Sequence, residues 1–347
     1  MSTDETRWNS RSLLRWMRDR FGASKVDAPR VVAETLLAQA LGCSRLALHM
    51  DPDRPTTDDE RDVLREHVRR ILLGEPLHYV TGQTQFWNGL FEIRPCTQIP
   101  QPCTELLVSH SLALLSARGV STGRGRTAFD STFCSADAIV DVDSNTPDPR
   151  GTLESCHSLP PDDPSSRGDS DPPLRMLELG VGSGAVIVSL LKALPSSLGF
   201  GVDIDSECIE LATKNAENHG VAERLDLKVH DASQPVGGPF DLIVGNLPYI
   251  PDEEWPDQID DGVRSFTPEK ALRGGHDGLS IIRPAIHWAS QAMCANGFIG
   301  LEHASSSADA VAALLAEAGF RNIECLYDED ELPRATFGSW ACEVDSV

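Results

Sequence analysis

The chain has 347 residues, enough for two domains or one large domain with insertions. Its net charge of −23 is uneven: residues 1–80 carry 13 basic and 13 acidic residues, whereas residues 175–347 carry 11 basic against 28 acidic, which argues against the counterion release that drives nucleic-acid binding. No apolar run is long enough for a membrane helix and no signal peptide opens the chain, while nine Cys without a CxxC pair or regular spacing point to reduced thiols, with neither a disulfide frame nor a metal site, so the cytoplasm is the expected location.

Residues 1–75 read as a small helical domain. Leu13, Leu14, Trp16, Met17 and Phe21 share one apolar face, and Val31, Val32, Leu36, Leu37, Ala40 and Leu41 share a second that stops at Gly42. A third helix opens on the capping box Thr57-Asp58-Asp59-Glu60 and continues through Val63, Leu64, Val68, Ile71 and Leu72. Nothing in this domain carries chemistry, and its position suggests substrate docking.

Residues 76–116 change character. Tyr79-Val80-Thr81-Gly82, Gln85 to Gly89 and Leu90 to Ile93 read as short β segments of a hairpin-like linker, followed by Ile99-Pro100-Gln101-Pro102-Cys103-Thr104-Glu105 and a helix from Leu106 to Leu115. Residues 117–173 are rich in Ser, Asp, Pro, Gly and Thr and hold no sustained period. They cannot bury enough apolar surface to offset chain ordering, and the expectation is a disordered insertion.

Residues 174–347 carry the chemistry. A buried strand from Met176 to Leu179 breaks into Gly180-Val181-Gly182-Ser183-Gly184, and a helix follows from Ala185 to about Leu194. Alternate glycines let the chain turn sharply and let a ligand reach the main chain at a helix N-terminus. The spacing is Glu-x-Gly-x-Gly-x-Gly, unlike the Gly-x-Gly-x-x-Gly of dinucleotide binders. An acid at Glu178 suits the methionine ammonium of S-adenosylmethionine better than a pyrophosphate.

The next strand, Leu198 to Val202, ends at Asp203, where a carboxylate can accept from both ribose hydroxyls. A helix follows with Cys208, Leu211 and Ala212 inward and Lys214, Asn215 and Glu217 outward. Leu225 to Val229 leads to Asp231, where adenine is expected, and Phe240 to Val244 runs into Gly245-Asn246-Leu247-Pro248-Tyr249. Four strands ending in polar or Gly-rich loops place those loops on one edge of a parallel sheet. The fold class is therefore α/β: a Rossmann-like class I S-adenosylmethionine-dependent methyltransferase domain with a small N-terminal helical domain.

Downstream come an acidic loop from Pro251 to Asp261 and a glycine-rich stretch from Ala271 to Leu279, which reads equally as a lid or substrate wall or as a plain surface loop. A helix from about Ser280 to Ala295, a strand from Phe298 to Glu302, a helix from Ala308 to Ala318 and strands near Ile323–Tyr327 and Ala335–Trp340 complete a mixed sheet. His303, beside the Phe298–Glu302 strand, reads as an ordinary polar residue.

Together these residues resemble the HemK/PrmC family, the glutamine N5-methyltransferases of class I peptide-chain release factors. The likeness runs over about 30–340 outside the insertion. It rests on Gly74 to Gly82, Ile99-Pro100 with Pro102, Thr104 and Glu105, Glu178 to Gly184, Asp203, Asn246 with Pro248 and Tyr249, and Ala271 to Leu279. Departures exist: Leu247 replaces the second residue of the usual Asn-Pro-Pro-Tyr, Gln101 and Cys103 stand where Arg and Glu are usual, and His303, Ala304 and Ser307 follow Glu302 where Ile-Gly and then Gln are usual.

The resemblance implies S-adenosylmethionine held by Glu178, Gly180, Gly182, Gly184, Asp203, Asp231 and Asn246, with catalysis by Asn246, Leu247, Pro248 and Tyr249. It implies a monomer acting on the glutamine of a release-factor Gly-Gly-Gln loop, without membrane or direct nucleic-acid contact. An amide nitrogen is a poor nucleophile because its lone pair is delocalised. Two acceptors, the Asn246 side-chain oxygen and the Leu247 carbonyl, can orient it and stabilise charge as the bond forms. Leu for Pro keeps that backbone carbonyl, Pro248 stiffens the loop and Tyr249 can pack over the planar amide. Asn-Leu-Pro-Tyr is also the form found in ribosomal RNA adenine dimethylases, so RNA adenine N6-methylation is the alternative activity, and a non-catalytic binding module on this fold is the alternative class.

Overall fold

Caps set the N-terminal helices. The computed structural model describes residues 8–120, 172–255 and 261–341. Helix α1 (Ser10–Ala23) starts where the Asn9 side chain accepts from Ser12 N while Ser12 Oγ accepts from Asn9 N, which satisfies two otherwise orphaned donors. Helix α2 (Pro29–Ala40) has Pro at its first position, α3 (Arg45–Met50) is a short turn capped by Ser44, and α4 (Asp58–Leu72) carries the expected Thr57–Glu60 capping box. Leu13, Met17, Phe21, Leu36, Leu37, Leu64, Val68 and Ile71 meet in one core, each contributing about 1.5–3 kcal/mol when fully buried. Trp16 and Val63, read as inward, are each 46% exposed.

Tyr79, Val80 and Thr81 are helical, in α5 (Leu77–Thr81). Pro76 starts that turn and Gly82 ends it in the left-handed region at φ 71°, so the β-strand expected there is wrong. The helix bridges the N-terminal helices and the later part of the chain. Gln39 Nε2 donates to Thr81 O (2.6 Å) and Arg70 donates to Tyr79 O (3.0 Å), while the Tyr79 hydroxyl donates to Thr97 O (2.6 Å) and meets Thr267 Oγ1 (3.0 Å).

The hairpin is present as β1 (Gln83–Phe86) and β2 (Gly89–Glu92), antiparallel, and α6 (Glu105–Ala117) follows. Apart from 117–120 and 172–173, the expected insertion lies outside the described residues. Chain description resumes with β3 (Leu174–Leu179), α7 (Ala185–Ala193), β4 (Ser197–Asp203), α8 (Ser206–Asn218), β5 (Leu225–Val229), β6 (Phe240–Gly245), α9 (Asp261–Phe266), α10 (Ile282–Ala292), β7 (Met293–Glu302), α11 (Ala308–Glu317), β8 (Arg321–Tyr327) and β9 (Pro333–Ser339).

The sheet order is β5-β4-β3-β6-β7-β9-β8. Strands β3 to β7 are parallel, β9 runs antiparallel to β7, and β8 antiparallel to β9. Residues alternate between two buried faces, as a parallel sheet covered on both sides requires. Met176, Leu242 and Val244 pack with α6, α7 and α8, while Leu177, Leu179, Ile243 and Ile299 pack with α10 and α11. The chain moves outward from β3 to β4 and β5, then crosses back to β6 on the other side of β3. That reversal opens a crevice beyond the carboxyl ends of the strands.

Asn215 belongs to the core, not to the outer face expected for it. It is fully buried: its Oδ1 accepts from Glu92 N (2.8 Å) and its Nδ2 donates to Glu92 O (3.0 Å) and Ser183 O (2.8 Å). One side chain thereby ties the hairpin and the glycine loop to α8.

Candidate active site

A pocket of about 960 Å³, mouth included, lies over the carboxyl edge of β3, β4, β5 and β6. The residues lining it include Glu178, Gly180, Gly182, Asp203, Asp231, Asn246, Leu247 and Pro248, so it gathers most of the residues singled out from the sequence. Ile99, Pro100 and Thr104 close one wall, and Lys270 stands on another, ion-paired to Asp205 at 2.7 Å.

The glycine loop is shaped by close neighbours. Gly182 has φ 51°, and a Cβ there would lie 2.5 Å from Thr97 Oγ1. Any side chain would be strained and would clash with the Ile-Pro segment. Asp203 Oδ2 accepts from Gly182 N (2.9 Å) and its Oδ1 accepts from Asp205 N (2.9 Å). Burial raises the Asp203 carboxyl, and these two N–H donors hold it down. Each oxygen keeps a second lone pair for a diol, so Asp203 shapes the loop as well as lining the pocket.

Glu178 is 3% exposed, and its Oε2 accepts from Ile187 N (2.9 Å) in the first turn of α7. Burial pushes its carboxyl up to about 8; the Ile187 bond lowers it and the nearby Asp203 charge raises it further. A buried acid of this kind is ready for a cation, which would discharge the desolvation cost.

The Asn-Leu-Pro-Tyr loop is anchored from behind. Asn246 Nδ2 donates to Thr104 Oγ1 (3.2 Å), and its Oδ1 is buried with no hydrogen-bond partner. Leu247 is 2% exposed in the core shared with Leu179 and Leu279, so the departure from Pro fills an apolar slot. The Tyr249 hydroxyl donates to Glu302 Oε1 (3.1 Å). Burial, then the Glu302 charge, pushes that phenol well above its ordinary range.

The 271–279 stretch backs this loop. Ile250 N donates to Leu272 O and Gly274 N to Ile250 O, each at 2.9 Å. A Cβ on Gly278, at φ 74°, would lie 2.3 Å from Tyr249 O. The stretch thus packs behind the Asn-Leu-Pro-Tyr loop, and of its residues only Ala271 is among those lining the pocket. His303 is fully buried against Thr336 Oγ1 (2.8 Å), an ordinary structural contact.

Glu302 has no role assigned to it by the sequence pattern. It is 1% exposed at the end of β7, beside Tyr249, Thr104 and Cys103. The signal was available: like Asp203, it is an acid ending a buried parallel strand at the crevice edge. Gln101 is exposed, whereas Cys103 is partly buried 3.9 Å from Glu302, and burial with that charge pushes its thiol up to about 12. The thiol is therefore inert.

Two family models match the chain: the PrmC N-terminal domain over residues 12–82 and a methyltransferase domain over 176–269. A release factor glutamine methyltransferase of Chlorobaculum tepidum is 29% identical over 95% of this chain and 97% of the relative. Those of Geobacter sulfurreducens and Rhodopirellula baltica are each 28% identical, over 95% and 94% of this chain and 96% and 95% of their own. Over nearly its whole length the chain is similar to release factor glutamine methyltransferases, and its N-terminal part matches the PrmC N-terminal domain. It is a methyltransferase, and its cofactor is S-adenosylmethionine. The pocket fits that cofactor: a buried acid for an ammonium, a strand-end carboxylate for a diol, and a loop that side chains would block. Among the described residues no helix is long and apolar enough to cross a membrane.

Proposed function

We propose that this protein transfers a methyl group to the side-chain amide nitrogen of the glutamine in the Gly-Gly-Gln loop of a class I release factor. The cofactor supplies an electrophilic methyl on a sulfonium. Glu178 would hold its ammonium, the Gly180 and Gly182 backbone would line its methionine part, Asp203 would accept from its ribose and Asp231 would lie by the adenine; Gly184, expected there too, packs against Ala212 behind the loop. Asn246 closes that site and serves the second substrate.

The observation that carries the reading is the Asn246 oxygen: a buried acceptor without a donor, on the pocket wall after β6. Such a group is costly unless a ligand donor arrives, and a primary amide brings two N–H donors. Asn246 Oδ1 takes one and the Leu247 carbonyl the other, turning the nitrogen towards the methyl carbon. A bound S-adenosylmethionine would supply its sulfonium methyl to that nitrogen, whose surplus proton would leave to water. Pro248 and the buried Tyr249 hydroxyl keep the loop from moving with the substrate.

The relatives' names and their near-complete coverage support the release factor as substrate. The acidic catalytic half and the neutral N-terminal domain suit a protein partner better than naked RNA. The test is purified enzyme, labelled cofactor and a class I release factor, with the label mapped by peptide mass spectrometry. Label on the Gly-Gly-Gln glutamine supports the proposal. Label only in ribonuclease-sensitive material would replace it with RNA adenine methylation.

A further inference from the structure

Four side chains behind the pocket form a polar cluster: Asn246 Nδ2 donates to Thr104 Oγ1, Tyr249 donates to Glu302 Oε1, and the Thr104 and Asn246 side chains both lie against the Glu302 carboxylate, whose Oε2 is buried with no hydrogen-bond partner. They come from three pieces of the chain: Asn246 and Tyr249 from the loop after β6, Thr104 from the turn before α6 and Glu302 from the end of β7. Thr104 is 3% and Glu302 1% exposed. Glu302 does not line the pocket itself.

We propose that Glu302 is a positioning residue: through the Thr104 hydroxyl it fixes the side-chain amide of Asn246 with the nitrogen turned away and the oxygen left for the substrate. The inference rests on the reading of Asn246 as the acceptor for the substrate amide. An asparagine amide is nearly symmetric in shape, so only its partners decide which end faces the pocket. A threonine hydroxyl can either accept from Nδ2 or donate to Oδ1, and by itself it would tolerate both. An ionised carboxylate only accepts. It draws the Thr104 proton to itself, leaves the Thr104 lone pairs for Nδ2, and so selects one orientation. When Glu302 is protonated it can donate to Thr104, whose proton is then free to turn to Asn246 Oδ1. The amide can rotate, presenting N–H groups to a substrate that itself brings N–H groups.

The ionisation of Glu302 therefore matters. Burial raises its carboxyl to about 7, with Thr104, Tyr249, Arg334 and Asn246 lowering it. The other groups facing this cluster do not titrate in the same range in a way that would imitate it. The Cys103 thiol and the Tyr249 phenol are both pushed upward and stay neutral, burial keeps His303 neutral, and Arg334 stays charged beside Asp328 at 2.6 Å. The sign follows: below about pH 7 Glu302 is protonated and the orientation is lost, so turnover rises with pH through that value.

Two measurements test this. The first needs no activity: the Asn246 side-chain NH₂ signal, identified by its loss in Asn246→Asp, is followed by NMR from about pH 6 to pH 8. It should shift with one midpoint in the wild type and stay flat in Glu302→Gln. An invariant wild-type signal, or the same titration in the variant, overturns the proposal. The second is turnover. Glu302→Gln should lower kcat at least about tenfold and flatten its rise with pH while cofactor affinity, read by calorimetry, is unchanged. A kcat and pH profile matching the wild type overturn the proposal too. Should Glu302→Gln fail to fold, Thr104→Val and Thr104→Ser decide: Ser should keep the pH-dependent turnover and Val should lose it, and equal behaviour counts against the relay. A wild type that methylates no release-factor glutamine sinks the proposed function instead, and the NMR titration still decides the relay.

Discussion

Cofactor affinity should depend on pH through Glu178, and the structure supplies the size of the effect. In the free protein the Glu178 carboxyl is raised to about 8, chiefly by burial. The α-amino group of the cofactor titrates at about 7.7–8.0 in solution. The bound pair holds one proton fewer than the two free groups do at pH 6, because a buried carboxylate beside an ammonium is ionised. The free carboxyl is the raised one, so deprotonating it costs binding energy below about pH 8, and affinity must rise with pH there. Above about pH 8 the ammonium itself is lost and affinity must fall. Multiplying the two ionised fractions gives a rise of about twentyfold in affinity from pH 6 to pH 8, or about 2 kcal/mol, with a maximum near pH 8. Titration calorimetry in buffers of different ionisation enthalpy reads both the affinity and the proton released. Glu178→Gln keeps an acceptor for Ile187 N and should remove the acid limb. A wild-type affinity flat between pH 6 and pH 8, or an unchanged slope in Glu178→Gln, would refute the pairing of Glu178 with the ammonium.

Two further outcomes follow from single side chains. Asn246→Ala should leave cofactor binding nearly intact and lower kcat at least about a hundredfold, since the lost acceptor acts on charge that develops during transfer; a similar kcat in the variant would remove Asn246 from catalysis. Asn215→Ala leaves Glu92 N, Glu92 O and Ser183 O without their partner, and should cost about 3 kcal/mol by denaturant titration; a loss below about 1 kcal/mol would show that the hairpin and glycine loop are held elsewhere.

The site was largely legible because its residues sit at strand ends. In a parallel sheet every strand delivers its last residue to the same edge, so Glu178 with its glycines, Asp203, Asp231 and Asn246 could be brought together from sequence order alone. Asn215 was misplaced for a different reason. Cys208, Leu211, Ala212 and Asn215 follow i, i+3, i+4, i+7, which puts position 215 on the inward face, but its polarity argued outward. The backbone donors and acceptors that satisfy it lie in the hairpin and the glycine loop, far away in sequence. Tyr79-Val80-Thr81 was read as strand because aromatic and β-branched residues favour strands locally. Pro76 before it, Gly82 after it and the contacts of Tyr79 with Thr97 and Thr267 make it a helical turn instead. The strand-end position of Glu302 is legible in the sequence, but its partners Thr104 and Tyr249 come from two other segments, a convergence that no spacing along the chain displays.

The central claim is that a release-factor glutamine is the methyl acceptor. It is tested most directly by isolating class I release factors from cells with and without this protein and measuring the mass of the peptide that holds the Gly-Gly-Gln loop. The account predicts a methylated glutamine in the first and an unmodified one in the second, restored by the wild-type chain and not by Asn246→Ala. A glutamine that stays methylated without the protein would contradict it, most plainly if ribosomal RNA adenines lose their methyl groups in the same cells.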